Sequence, residues 1–293
     1  MSEPSFYIIL VASLVAISCS LLGCYLVLRK MAMVGDAISH AVLPGIVIAY
    51  LISNTFNSLA MLAGAMALGI LSTFLIEFFH RKGNLQTDAS IGVTFTWLFA
   101  VGVVMLSFYA GEVDLDQECV LYGEIALVPF DTLITSSGQS LGPRALWIIS
   151  PVLLAILLFI GVGYKGLQLT TFDGAYAALT GVSVLLWHYA LMAMVSAVTV
   201  ASFELVGAIL VVAFLIVPPA TAYLLTRQLK TMLWLAVIIS IACAVGGYYL
   251  ASWINGSIAG AMATVAGFLF ILALIFSPTD GLLTRKLRVG QAD

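Results

Sequence analysis

Charged residues and histidines are scarce in this sequence. Only 9% of the 293 residues are Asp, Glu, Lys or Arg, whereas about a quarter of the residues in soluble domains are charged. Apolar residues make up 62% of the chain, and the mean hydropathy is +1.15. A soluble chain of this size could not bury so many apolar side chains, so the composition predicts an integral membrane protein. The net charge of −3 gives no indication of a nucleic-acid partner.

Several motifs are also absent from the sequence. No Gly-x-x-x-x-Gly-Lys-Ser/Thr phosphate-binding loop occurs, so any ATP hydrolysis must come from another polypeptide. A His-Glu-x-x-His string is missing too, which argues against an intramembrane metalloenzyme. We expect the chain itself to be no enzyme.

The four cysteines are scattered, and we interpret them as small side chains rather than metal ligands or disulfides: Cys19, Cys24, Cys119 and Cys243.

Long apolar stretches occur along the whole chain, without a linker that would divide residues 1–293 into two domains. A helix needs roughly 20 residues to cross about 30 Å of hydrocarbon, and only helices satisfy every backbone amide within their own segment. The expected fold is therefore an all-α polytopic membrane protein with about nine spans. Because the sixth and seventh stretches are nearly continuous, eight spans is the alternative. The stretches are 6–28, 31–52, 59–79, 89–110, 145–164, 184–202, 204–226, 231–254 and 258–277.

The basic residues predict the orientation. If the N-terminus lies outside and nine spans alternate, ten of the eleven Lys and Arg residues fall on the inner face, and only Arg144 lies outside. The opposite orientation would place nearly all of them on the wrong side. We therefore expect an N-out, C-in topology. The inner residues are Arg29, Lys30, Arg81, Lys82, Lys165, Arg227, Lys230, Arg285, Lys286 and Arg288.

Asp36 and His40 lie within the second apolar stretch, where ionisable groups are costly. A separation of four residues places both side chains on one helical face, one turn apart. Together they can hold a divalent cation, and a mixed oxygen and nitrogen set suits Mn²⁺, Zn²⁺ or Fe²⁺ better than Cu⁺, Ca²⁺ or Mg²⁺. Two ligands are too few to replace the water of such an ion, so a second copy of the chain, or a close relative of it, would have to contribute two more. Ser39 is a candidate for a residue that hydrogen-bonds to one of these ligands without touching the ion. The alternative is an internal ion pair that stabilises a helix contact.

Other polar residues are weaker candidates. Glu204, at the junction of the sixth and seventh stretches, either is a solvated acid or helps to admit the ion. Glu77 and His188 are interpreted as residues near the ends of spans, His188 as part of an interfacial belt. The adjacent prolines Pro218 and Pro219 predict a kink or a break in the seventh span.

The segment 111–144 is a long acidic loop that the predicted topology places outside. It is either an ordinary solvated loop or a negative vestibule that concentrates cations or binds a delivery protein. Its apolar middle, Val120–Val128, predicts that part of the loop packs into the protein. The acidic residues of the candidate vestibule are Glu112, Asp114, Asp116 and Glu118.

The inner loop 165–183 is longer than a connection requires. Its sequence predicts a short helix that Thr171 or Asp173 caps at the start and Gly181 ends. Such a helix on the cytoplasmic surface could fit a groove in a partner and transmit the movement of that partner.

Four segments resemble the bacterial manganese/zinc/iron ABC permeases, the ABC-3 family. They are Arg29–Gly45, Cys119–Pro129, Thr171–Gly181 and Val206–Leu225, in the family's order, so that the resemblance covers nearly the whole chain. One departure is Pro219, where many relatives have alanine.

The resemblance implies an ABC importer permease fold in the bacterial cytoplasmic (inner) membrane, with Asp36 and His40 lining the metal path. It also implies several partners: cytoplasmic ATPase subunits, a second permease that is identical or unlike, and a metal-binding protein outside. No permanently bound cofactor is expected, only the transported Mn, Zn or Fe(II) ion. The residues that the resemblance places against the ATPase are Phe172, Asp173, Ala178 and Gly181. A secondary carrier driven by an ion gradient is the alternative, and it would transport without any partner.

Overall fold

The structure is a computed structural model that describes residues 3–53, 58–109, 125–134 and 140–277. In this part of the chain nine helical spans are long and apolar enough to cross a membrane, as predicted. The helices are α1 Glu3–Leu28, α2 Val34–Ala41, α3 Leu43–Ser53, α4 Ser58–Lys82, α5 Thr87–Tyr109, α6 Arg144–Phe172, α7 Gly174–Leu179, α8 Val184–Val206, α9 Ala208–Leu225, α10 Leu229–Ile254 and α11 Ile258–Phe276.

The junction of the sixth and seventh spans is a single glycine. Gly207 separates α8 from α9 and adopts φ 80° and ψ 159°, a conformation that residues with a side chain rarely adopt. The near-continuous apolar run is therefore two helices, which decides between nine and eight spans in favour of nine among the described residues.

The second span is a single stretch, as predicted over 31–52, but its series of backbone hydrogen bonds has a gap. Helix α2 ends at Ala41 and α3 begins at Leu43. Pro44 has no N–H, so it cannot donate the helical hydrogen bond to the carbonyl of His40, four residues earlier. The amides of Gly45 and Ile46 both donate to the carbonyl of Val42, at 2.9 and 3.1 Å, and start α3.

Helix α9 continues through Pro218 and Pro219, so the two prolines do not break it. Each proline deprives the carbonyl four residues earlier of its helical donor, and one of these carbonyls belongs to Leu215. This oxygen faces Gly23 of α1: a methyl group at Gly23 would lie 2.0 Å from it. A glycine in α1 thus lets the two backbones approach where the proline has freed a carbonyl.

Helix α1 lies at the centre of the bundle and packs against α6, α8, α9 and α10. Its side chains are buried on all sides, so the hydrophobic core is built around it. The core residues that it contributes include Val11, Val15, Cys19, Leu22, Tyr25 and Leu26, most of them with no exposed surface.

Hydrogen bonds and ion pairs between helix ends show which ends share a side. Arg29 bonds to Thr170 and Thr171, and His188 pairs with Glu77. At the opposite side the Tyr248 hydroxyl donates to Ser5, at 2.6 Å. Successive spans therefore alternate in direction. The described basic residues that the sequence assigns to the inner face lie on the side of Arg29.

Part of the long loop packs against the bundle. A turn of 3-10 helix, Ile125–Leu127, contacts α1 and α11, and Ile125 and Val128 are buried. This confirms the packing expected from the apolar middle of the loop. The sequence did not predict the short antiparallel hairpin that follows, with strands β1 Thr132–Ile134 and β2 Ser140–Pro143.

We predict that Gly23→Ala destabilises the protein by about 1–3 kcal/mol, because the added methyl group overlaps the Leu215 carbonyl and forces α1 and α9 apart. The measurement is the midpoint of thermal unfolding in detergent. Gly92→Ala in α5 is the matched control, because a methyl group there has nothing within 4 Å. Equal midpoints for the two variants would contradict the prediction.

Candidate metal path and coupling segment

Helix α2 has one buried and one open face. Val34, Gly35, Ala37, Ile38 and Ala41 are buried, and a methyl group at Gly35 would lie 2.8 Å from the Leu215 side chain of α9. This close contact between Gly35 and Leu215 determines which face of α2 packs against α9. As a result the polar residues Asp36, Ser39 and His40 are directed away from the core, as a helical period requires.

The Asp36 and His40 side chains lie together, as their spacing predicts. Oδ1 of Asp36 is 3.7 Å from Nε2 of His40, and each side chain is 35% exposed. This distance is too long for a hydrogen bond, although it is within the range of an ion pair. The His40 ring lies against two aromatic rings of α5, with centroid distances of 5.8 Å to Phe95 and 5.6 Å to Phe99.

This pair does not form a complete metal site. Within the described ranges no group of three or more His, Cys, Asp or Glu side chains could hold a metal ion. The hydroxyl of Ser39 donates to the Gly35 carbonyl of its own helix, at 2.9 Å. Among the described residues, an ion between Asp36 and His40 would find no third His, Cys, Asp or Glu ligand.

Two further candidate positions are only partly described. Glu204 belongs to the last turn of α8, shortly before Gly207, but its side chain lies outside the described part of the structure. The four acidic residues of the candidate vestibule, between 112 and 118, also lie outside the described residues. Their roles remain predictions.

The segment 165–183 contains the predicted short helix. It begins inside α6, which continues beyond the predicted span to Phe172, and then turns at Asp173 into α7. The Asp173 carboxylate accepts a hydrogen bond from the Tyr176 amide, at 2.9 Å, so Asp173 is the N-cap. Thr171 is not the cap, because it lies within α6. These observations settle the two capping alternatives.

Gly181 ends this helix, as expected. Its φ of 81° allows the Val182 amide to donate to Ala177 and the Gly181 amide to donate to Ala178, at 3.0 and 3.2 Å. This is the Schellman pattern of hydrogen bonds, which favours glycine. The helix packs on the protein through Ala177, which is fully buried.

The outward side of this segment is largely apolar. Phe172 is 58% exposed, Tyr176 54% and Leu179 86%. Asp173, Ala178 and Gly181 are exposed as well. All four residues that the family resemblance places against an ATPase are thus on the accessible surface.

The structure also contains a buried polar cluster that the sequence did not reveal. Glu77 of α4 is 8% exposed and His188 of α8 is 9% exposed, and their side chains are 3.4 Å apart (Oε2 to Nε2). Arg81 donates to the other oxygen of Glu77. His188 is therefore not part of an interfacial belt. No local signal could have joined these residues, because the pair depends on how α4 and α8 pack.

Comparison with known proteins extends these findings. The profile of the ABC 3 transport family matches residues 3–277. The chain belongs to the ABC 3 transport family. Members are membrane permease subunits of ABC importers whose ATPase is a separate subunit. This permease is thus a multi-pass protein of the bacterial cytoplasmic membrane, as predicted.

Individual relatives match over almost the full chain. The permease is 50% identical over 282 residues to the manganese transport system membrane protein MntD of Bacillus subtilis (strain 168), a match that covers 96% of this chain and 95% of that protein. It is 43% identical to the zinc transport system membrane protein TroD of Treponema pallidum (strain Nichols), with coverage of 96% and 76%.

A solved structure supports the fold. The structure of PsaBC from Streptococcus pneumoniae in complex with Fab matches the permease with a TM-score of 0.77 and 30% sequence identity, covering 96% of this chain and 94% of that chain. The expected ABC importer permease fold is confirmed.

Proposed function

We propose that this permease is the membrane-spanning subunit of an ATP-driven importer for Mn²⁺, Zn²⁺ or Fe²⁺, and that the ion passes between Asp36 and His40. One observation carries the proposal. A carboxylate and an imidazole lie side by side within a membrane-crossing stretch, do not hydrogen-bond to each other, and stay 35% exposed. Ionisable groups in such a place generally mark an ion path.

The incompleteness of the pair suits transport better than storage. An ion must bind strongly enough to enter a path and weakly enough to leave it. Two protein ligands from one chain meet this requirement, and a second permease on the other side of the path would double them. The second permease is either a copy of this chain or a relative of it. Both side chains are accessible, so they are available for such a shared site.

The donor types limit the choice of ion. An oxygen and a nitrogen donor suit Mn²⁺, Zn²⁺ and Fe²⁺ alike. The names of the relatives MntD and TroD include manganese and zinc, which supports the same class. The ion is the transported substrate, and the proposal includes no permanently bound cofactor.

The proposed contact with the ATPase subunits is the exposed surface of the coupling segment, residues 165–183, from Phe172 onward. Exposed aromatic side chains that fill pockets of a partner are common among the residues that provide most of the binding energy of an interface. Phe172, just before the short helix, and Tyr176, within it, are such side chains, and the exposed Leu179 adds apolar surface beside them. Asp173, Ala178 and Gly181 complete the proposed contact surface.

On the outer side we propose that a metal-binding protein delivers the ion. The acidic residues Glu112, Asp114, Asp116 and Glu118 would raise the local concentration of cations there. Glu204, near the outer end of α8 in the proposed topology, is a second candidate for admitting the ion.

We predict that Asp36→Ala and His40→Ala each lower metal uptake by about 100-fold or more, since loss of even an outer partner of a ligand costs up to that much. Uptake is measured with the complete complex in liposomes. Asp88→Ala and His80→Ala are matched controls, because both residues are exposed and lie away from the site. Wild-type uptake by either site variant would exclude that side chain from the path.

We expect Asp173→Arg to uncouple ATP hydrolysis from transport. The substitution removes the N-cap of the short helix, worth about 1 kcal/mol, and reverses the charge of the contact surface. The number of metal ions imported per ATP hydrolysed should fall, while the permease remains folded in detergent. A ratio equal to that of the wild type would remove Asp173 from the coupling mechanism.

The proposed N-out topology can be tested by labelling single cysteines with a membrane-impermeant maleimide. The background is Cys119→Ser, because the other three cysteines are buried. We expect Ser252→Cys, near the end of α10, to react in intact spheroplasts. Gln86→Cys, between α4 and α5, should react only after permeabilisation. The reverse pattern would invert the topology and place the coupling segment outside.

A further inference from the structure

Arg29 connects two distant parts of the chain. Its Nε donates to the Thr171 hydroxyl at 3.1 Å, and its Nη2 donates to the Thr170 hydroxyl at 3.0 Å. The residue is partly buried, and within the described residues no carboxylate lies within 4 Å of it. Its only side-chain hydrogen bonds in this part of the structure are those to the two threonines.

On one side this contact is made by two residues of the coupling segment, Thr170 and Thr171. Thr170 and Thr171 form the last turn of α6, immediately before Phe172 and Asp173. The Asp173 amide donates to the Leu169 carbonyl at 2.9 Å, so the backbone remains hydrogen-bonded up to the cap of the short helix. A displacement of that helix therefore moves the two threonines with it.

On the other side the contact leads to the helix that carries Asp36 and His40. Only four residues, 30–33, separate Arg29 from the start of α2. Lys30 has φ 58°, the Lys30 amide donates to Val27, and the Met31 amide donates to Leu26. The Val34 amide then donates back to Met31 at 3.2 Å. A turn fixed by these hydrogen bonds passes on a displacement instead of absorbing it.

The positive charge alone has a simpler explanation. Arg29 lies at the C-terminal ends of α1 and α6, where a cation interacts favourably with both helix dipoles. A lysine would serve this purpose equally well. The geometry is not explained in this way, because two separate nitrogens of one guanidinium each bond to a different hydroxyl, an arrangement that the rigid planar fork of arginine fixes and the flexible ammonium of lysine does not.

We propose that Arg29 is a positioning residue that transmits movement of the coupling segment to α2 and so to the Asp36 and His40 pair. The inference rests on the proposed function, since it requires an ATPase that moves the segment and an ion that passes the pair. Arg29 itself touches no ion. It acts by keeping the end of α6 and the beginning of α2 together.

The test compares Thr170→Val/Thr171→Val and Arg29→Lys with the wild type, in the full complex with its ATPase subunits in liposomes. Valine keeps the shape of threonine, and lysine keeps the charge. We expect both variants to hydrolyse ATP at near the wild-type rate. The number of Mn²⁺ ions imported per ATP should fall by a factor of about three or more, which is within the range of measured coupling effects. A merely structural role would lower both rates in proportion.

Thr264→Val is the matched control, because that hydroxyl donates only to Gly260 of its own helix and is exposed. It should retain the wild-type ratio. If the double variant does not assemble with the ATPase subunits, the ratio measured for Arg29→Lys tests the inference alone. Wild-type ratios in the variants that assemble would overturn this inference alone. A wild-type complex that imports Mn²⁺ without ATP would overturn the proposed function, and this inference with it.

Discussion

The hydrocarbon of a bilayer offers no hydrogen bonds, so polar groups that would otherwise face it need partners within the protein. The contact between α1 and α9 shows how the chain meets this requirement. Pro219 deprives the Leu215 carbonyl of its helical donor, and Gly23 lets the backbone of α1 approach that oxygen. Close approach of this kind brings weakly polar Cα–H groups to the carbonyl. The central position of α1, and the packing of its neighbours, depend on contacts at this distance.

The same requirement distinguishes the two carboxylate–imidazole pairs. Glu77 is buried, receives a hydrogen bond from Arg81 and lies 3.4 Å from His188, so its charge is compensated within one chain. Asp36 and His40 are 3.7 Å apart, and each remains 35% exposed. A pair that serves only packing would be enclosed as Glu77 is, because an open charge in a span is costly. The exposure of the second pair is therefore the structural argument for an ion path.

Local features could be predicted from the sequence, and long-range contacts could not. The nine spans, the Asp173 cap and the Gly181 end of the short helix each depend on neighbouring residues, and all are present in the structure. The second span is one stretch, as predicted, and the gap in its backbone hydrogen bonds follows from a local feature, Pro44. The pairing of Glu77 with His188 depends on which helices pack together, so no spacing in the sequence could indicate it. For the same reason Asp36 and His40 could be placed on one face, while their remaining ligands could not.

The interruptions of the helices lie where movement would be useful. The backbone leaves the helical conformation at Asp173 and at Gly207, which border the coupling segment and the junction of α8 with α9. At Val42, between α2 and α3, φ and ψ stay helical, and only the series of backbone hydrogen bonds has a gap. Hinges in proteins are commonly a few residues at the ends of such elements. Helix α2 lies between two of these features: a hydrogen-bonded turn to Arg29 at its start and the proline-induced gap at its end. A displacement that the turn passes on would move α2 as a unit and so alter the exposure of the Asp36 and His40 side chains together.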